Sequence, residues 1–280
     1  MKRTIIKFLV IFLLFFVSPL KSMDFSSFSS SSSGILWKFS SLDKHPAGIL
    51  FSPASFITVD YLIFPYSFTA FKAGFRYLNK KSSVPYAAGA QFRYSGTTLN
   101  TVLIDGSSSG NTYYYHYFID SGFNFSIKRK VYIGILATFF HRYIDGEKYS
   151  RGFLTFQTIY RLKSLFIYLY YYNLGCRYEE SGIKERAGVG LSYDFNLLNF
   201  AGFEITPGIK VDKYNFYTGL SIIYRNLLYL NGGWNQNNFS FGGGISVLKD
   251  IIIHYSYELK GYGSVSTFSF TKIFKERREK

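Results

Sequence analysis

Beyond residue 54, apolar and polar residues alternate with period two along most of the chain, the spacing that puts successive side chains on opposite faces of a β-strand. Over 113–128 the odd positions are Tyr113, Tyr115, Tyr117, Ile119, Ser121, Phe123, Phe125 and Ile127, and the even ones include His116, Asp120, Gly122, Asn124, Ser126 and Lys128. Four further windows repeat the pattern: Phe71, Ala73, Phe75 and Tyr77 oppose Lys72, Gly74 and Arg76. Tyr86, Ala88, Phe92 and Tyr94 oppose Gly89, Gln91 and Arg93; Ala187, Val189, Leu191 and Tyr193 oppose Arg186, Ser192 and Asp194; Ile251, Ile253, Tyr255 and Tyr257 oppose His254, Ser256 and Glu258. The breaks between windows predict strands at 55–64, 67–78, 84–95, 113–128, 130–144, 150–162, 164–177, 185–195, 199–210, 214–224, 227–235, 238–248, 250–259 and 264–274. That is an even number of long strands, and most have the length of a tilted membrane-crossing strand rather than that of a soluble domain.

The connections carry a second pattern. Counting from the first strand, the even connections at 79–83, 128–130 and 162–164 are tight. The odd ones at 96–112, 145–149, 178–184 and 260–263 include the longest, the asymmetry of bacterial barrels with short turns on the periplasmic side and longer loops outside. Alternation alone also fits a soluble barrel or sandwich. Aromatic content separates the two, because 26 Tyr and 31 Phe in 280 residues are too many for an ordinary soluble surface. The Tyr-rich stretches 113–117 and 168–172 have the composition of interfacial girdles, where an apolar ring and a polar tip both find a place. The predicted fold is all-β: an antiparallel transmembrane β-barrel of about fourteen strands, which satisfies its own backbone in lipid.

Residues 1–22 read as a signal peptide, with Lys2, Arg3 and Lys7 ahead of an apolar run at 8–17 that is about half of what a spanning helix requires. Removing Lys2, Arg3, Lys7 and Lys21 lowers the formal net charge from +15 to +11. The remaining cations are scattered over turns and alternate strand positions, which points to anionic lipid headgroups as partners and away from nucleic acid. A single cysteine, Cys176, excludes a disulfide framework within the chain. Residues 23–54 do not alternate; a Ser-rich tract at 26–33 leads to His45, Pro46, Ala47, Gly48 and Ile49, and the segment at 23–54 reads either as a flexible lead-in or as a short plug ahead of the barrel at 55–274, with a charged tail at 275–280.

His45-Pro46-Ala47-Gly48-Ile49 resembles the NPAGL turn of the PorV/PorQ family of outer-membrane barrels, related to the FadL-type transporters of hydrophobic compounds. The C-terminal stretch is similar as well: Phe241-Gly242-Gly243-Gly244-Ile245, then Ile253-His254-Tyr255-Ser256-Tyr257, then Gly261-Tyr262-Gly263 and Thr267-Phe268-Ser269-Phe270. Here His45 stands in place of the family's Asn and His254 in place of its Asp, and the chain runs past Phe274 where the family ends on an aromatic residue. The resemblance implies an outer-membrane barrel with an N-terminal plug turn at His45, Pro46, Ala47 and Gly48. It implies either uptake of a hydrophobic small molecule or a secretion role with exported proteins as partners; a structural or adhesive surface barrel is a further reading.

Catalytic and metal motifs do not fit this picture. Gly106-Ser107-Ser108-Ser109-Gly110 has nucleophile-elbow spacing but no helix pattern after it. His45, His116, His141 and His254 lack metal-ligand spacing, and no phosphate-binding loop occurs, so neither an enzyme nor a cofactor is expected. The polar-face residues Lys72, Arg76, Arg93, His116, Asp120, Arg186, Asp194, His254 and Glu258 are expected to line the lumen, together with apolar Leu62, Phe118, Tyr132, Leu136, Phe140 and Ile252.

Overall fold

The computed structural model describes residues 46–51, 54–64, 69–102, 108–175, 185–195, 197–212, 216–225, 227–235, 238–248, 250–260 and 263–274. A 3-10 turn, Pro46–Phe51, precedes fifteen strands. These are β1 (Ser55–Ile63), β2 (Thr69–Asn79), β3 (Tyr86–Val102), β4 (Ser108–Ile127), β5 (Val131–Ile144), β6 (Glu147–Leu162), β7 (Leu165–Leu174) and β8 (Arg186–Asp194). They continue as β9 (Leu198–Phe200), β10 (Phe203–Asp212), β11 (Phe216–Tyr224), β12 (Leu228–Asn235), β13 (Asn238–Leu248), β14 (Ile251–Lys260) and β15 (Gly263–Phe274). Each long strand pairs antiparallel with its sequence neighbours, and β1 closes onto β15 from Ser55 opposite Phe274 to Ile63 opposite Ser266. The result is a closed barrel of fourteen strands, with β9 as a short extra piece beside β10. Closure leaves no edge along the wall, the condition for crossing lipid with strands.

The fold is inside out relative to a soluble protein. Arg76, Gln91, Asp120, Asn124 and Gln157 are buried, whereas Ile119, Phe123, Leu169, Val189, Leu191 and Phe241 lie on the outer face. Along β4, Tyr113, Ile119, Phe123 and Ile127 are exposed and Asp120, Gly122, Asn124 and Ser126 buried, as period two predicts. Outward rings form an aromatic cluster across β3, β4 and β5: Tyr115 stacks on Tyr143 at 5.0 Å, Tyr94 lies 6.4 Å from Tyr115, and Tyr117 lies 4.9 Å from His141. The mouth that holds the turns between β2 and β3, β4 and β5, and β6 and β7, together with residues 46–51, is called the N-terminal mouth here. The opposite end is the hairpin mouth.

Three expectations need correction. Residues 96–112 were expected as one loop, yet β3 and β4 stay paired from Gly96 opposite Tyr115 to Val102 opposite Ser108. Polar Thr97, Thr98, Asn100 and Thr101 hide this hairpin, since a ribbon outside the membrane needs no apolar face. Ser108 and Gly110 of the elbow-like motif belong to β4 and not to a strand-turn-helix. The strand expected at 199–210 is split, because Ala201 (φ 50°) and Gly202 (φ 81°) turn the chain between β9 and β10. The tyrosines of 168–172 are not a single girdle: Tyr168 and Tyr170 face the lumen, while Leu169 and Tyr171 face outward.

Candidate functional site

At the N-terminal mouth, Pro46, Ala47, Gly48, Ile49 and Leu50 are all buried inside the wall. Proline suits the first position of such a turn because its ring presets φ and its missing N–H needs no partner. The seat is a lumen-facing row in which Leu78, Ala87, Asn124, Gly134, Gln157 and Tyr170 stand opposite one another on β2 to β7. Gly134 makes the approach possible, since a Cβ there would stand 2.2 Å from Ala47 N and 2.4 Å from Pro46 C. Asn124 Nδ2 donates to Pro46 O at 2.9 Å, and Ala47 N donates to Gln157 Oε1 at 3.3 Å, which pairs buried backbone groups that would otherwise carry a desolvation cost. Around these bonds, Ala47, Ile49 and Leu50 pack with Tyr132, Leu136, Ile159 and Phe166. Phe51 completes the seat, with its ring 4.5 Å from that of Tyr132 and 5.4 Å from that of Phe166.

On β2 to β5 the lumen holds a charged network. Asp120, fully buried, accepts from Arg93 Nε at 2.9 Å and Nη2 at 3.2 Å, from Thr138 Oγ1 at 2.7 Å and from Gln91 Nε2 at 3.2 Å. Gln91 Oε1 accepts from Arg76 Nη2 at 2.7 Å, and Arg76 Nη1 donates to Phe75 O and Ala90 O at 2.7 and 2.9 Å. The Arg93 guanidinium also lies 4.1 Å from the centre of the Phe118 ring. On β1 and β2, Lys72 Nζ stands 3.9 Å from the Asp60 carboxylate, a looser ion pair. Four hydrogen bonds on one buried carboxylate make this network a structural brace as much as a lining.

The remaining expected residues fall at other levels. His116 Nδ1 shares a 2.9 Å hydrogen bond with Tyr114 OH, and its ring meets Phe118 edge-on at 5.5 Å. On the C-terminal strands, Asn231 Nδ2 donates to His254 Nε2 at 2.8 Å in a buried contact, and Glu258 is buried four residues along. The neighbouring lumen positions are small: Ser221, Ser240, Ser256, Thr267 and Ser269. Asp194 is half-buried at the C-terminal end of β8, toward the N-terminal mouth, with Oδ1 3.1 Å from where a Cβ of Gly208 would stand. Arg186 shares the inward parity of β8 and lies exposed at the hairpin mouth, where that strand begins. Of the apolar candidates, Tyr132, Leu136 and Phe140 are buried, while Leu62, Phe118 and Ile252 are half-buried. His45 lies outside the described residues.

Sequence reasoning missed the inward tyrosines of β7. Tyr168 and Tyr170 lie over Gly190 and Gly188 of β8, where a Cβ would stand 2.2 and 2.4 Å from their rings, and Tyr168 OH donates to Val211 O at 3.3 Å. Lys210 Nζ sits 5.4 Å from the Tyr168 ring and 5.2 Å from that of Tyr217. The signal was available in the pairing of glycines at alternate positions, 188 and 190, with tyrosines at 168 and 170.

A closed wall of fourteen long strands, greasy outside and charged within, is decisive for the environment. This is an outer-membrane β-barrel. Among solved structures the chain is similar to the Acinetobacter baumannii outer membrane protein Omp33, at 7% identity and a TM-score of 0.52, covering 79% of this chain and 98% of that one. It is also similar to the P. putida toluene transporter TodX (12% identity, TM-score 0.49, 84% of this chain and 94% of that one). A triple mutant of the Rhodopseudomonas blastica porin aligns at 6% identity and a TM-score of 0.36, covering 79% of this chain and 99% of that one. No protein-family description and no curated protein matches the sequence.

Proposed function

We propose that this outer-membrane barrel is a FadL/PorV-like conduit that conducts or presents a hydrophobic small molecule, without enzymatic chemistry. The reading rests above all on the turn Pro46–Phe51, which packs inside the N-terminal mouth against one side of the wall and turns Ile49 and Leu50 toward an apolar seat of Tyr132, Leu136 and Phe166. A general pore for ions and sugars calls for an open, wet cross-section; a mouth narrowed by a hydrocarbon-lined turn favours an apolar passenger. Liposomes carrying the intact chain are expected to stay impermeable to small sugars while a fluorescent fatty acid crosses faster than in empty liposomes. Free passage of sugars and ions overturns the proposal.

One observation favours a second reading, a secretion component that binds exported proteins. A twenty-residue strand such as β4, tilted by about 40°, rises about 50 Å, twice the apolar band of roughly 25 Å. The β3–β4 hairpin therefore stands well clear of lipid as a ready platform. Copurification of exported proteins in mild detergent, lost when residues 97–112 are shortened to a turn, supports this reading; an unchanged partner set counts against it.

A further inference from the structure

Among the described residues, five non-glycine residues at the N-terminal mouth adopt positive φ, and all but Ala201 are cations. Left-handed backbone crowds a Cβ against the following carbonyl, so tight hairpin turns with positive φ favour Asn, Asp and Gly. At the hairpin mouth the turn between β5 and β6 obeys this rule, with Asp145 (φ 45°) and Gly146 (φ 93°). At the N-terminal mouth the same backbone region holds Lys128 (φ 51°) and Arg129 (φ 54°) between β4 and β5, Lys163 (φ 53°) between β6 and β7, and Arg225 (φ 49°) after β11. Cations thus occupy strained positions where a small or amide side chain would fold more easily, and strain retained in one place points to a use for the side chain.

These cations gather on neighbouring turns. Arg161 N donates to Lys130 O at 2.8 Å, which ties the second turn to the third, and Arg161 Nε donates to Lys163 O at 3.3 Å. With Lys80 and Lys81 on the turn between β2 and β3, the three consecutive turns carry Lys80, Lys81, Lys128, Arg129, Lys130 and Lys163, and residues 79–86, 127–131 and 161–165 contain no Asp or Glu; the Arg161 guanidinium instead turns inward, 5.9 Å from the Phe51 ring and 5.5 Å from that of Phe166. Lys128, Arg129, Lys130 and Lys163 are exposed. Directly along the wall, the outward side chains Ile127, Tyr160 and Leu162 are apolar and exposed, so the cations sit at the rim of the lipid-facing band. That is the level of phosphodiester groups.

We infer that these three turns form a collar that binds the phosphate groups of anionic phospholipids in the leaflet at the N-terminal mouth. Acyl chains would lie along Ile127, Tyr160 and Leu162 while the headgroup phosphate meets the ammonium and guanidinium groups above them. Each such cation near a membrane surface strengthens attachment by about fivefold, and adjacent ones act together. The inference is independent of what the lumen conducts.

The test is native mass spectrometry of the detergent-solubilised, folded barrel offered equal amounts of phosphatidylglycerol and phosphatidylcholine. The intact chain is expected to retain phosphatidylglycerol preferentially. The triple variant Lys128→Asn, Arg129→Gly, Lys163→Asn replaces strained residues with those the turns favour, so it folds at least as well, and its preference should fall by about tenfold or more. Lys148→Gln, which removes one charge at the hairpin mouth, should leave the preference unchanged. Equal retention of the two lipids by the intact chain, or an undiminished preference in the triple variant, overturns the inference. Inorganic phosphate should displace the lipid no better than chloride of equal ionic strength; full displacement by phosphate alone would make the collar a free-phosphate site and overturn it as well.

Discussion

At the scale of single residues, the energetics turn on polar groups that have been taken out of water and paid back by geometry. Asp120 is the clearest, since Gln91 and Arg93 of β3 and Thr138 of β5 all converge on its two oxygens. Asp120→Ala leaves the Arg93 guanidinium without its counter-charge and is expected to cost about 3 kcal/mol, read from urea unfolding of the barrel in lipid vesicles. Adding Arg93→Met removes the stranded cation and should recover part of that loss. A single-variant cost below about 1 kcal/mol would mean that the pair is well solvated and the lumen wide at this level. The parity of these residues was legible in the sequence: Gln91, Arg93 and Asp120 follow from period two. Their partners were not, because which inward side chain meets which depends on the register between strands, and alternation within a strand is silent about that.

Among elements, the docking of the turn Pro46–Phe51 depends on one position of the wall. Gly134 is an unremarkable residue of β5 in sequence, yet its missing side chain is the space that Pro46 and Ala47 occupy. Gly134→Val suits a strand and should leave the barrel closed while expelling the turn. With Ile49→Cys in a Cys176→Ser background, the thiol is expected to resist a bulky maleimide when residue 134 is Gly and to react when it is Val. Equal protection in both would show that the turn is held by something other than this fit. The strand pattern itself was largely legible, and its failures have physical causes. The β3–β4 hairpin escaped because strand outside lipid carries no apolar face. The split between β9 and β10 escaped because Ala201, Phe203 and Ile205 sustain an alternating apolar rhythm across a turn set by Ala201 and Gly202. Tyr168 to Tyr172 offered no parity at all, since residues of both faces are Tyr or Leu.

For the whole molecule, closure and inversion of polarity are the claims from which the rest follows. The chain returns to its start through β1 and β15, places Arg76 and Asp120 inside, and leaves Leu169 and Val189 outside. A closed barrel of this kind unfolds only when many cross-strand pairings break together, so it resists detergent at room temperature. The direct measurement is migration of the protein from the outer-membrane fraction on SDS gels, with and without prior boiling. A faster, compact band that moves to its full-length position only after boiling is the predicted result; a protein found soluble after export, with one band unaffected by heat, would contradict the account.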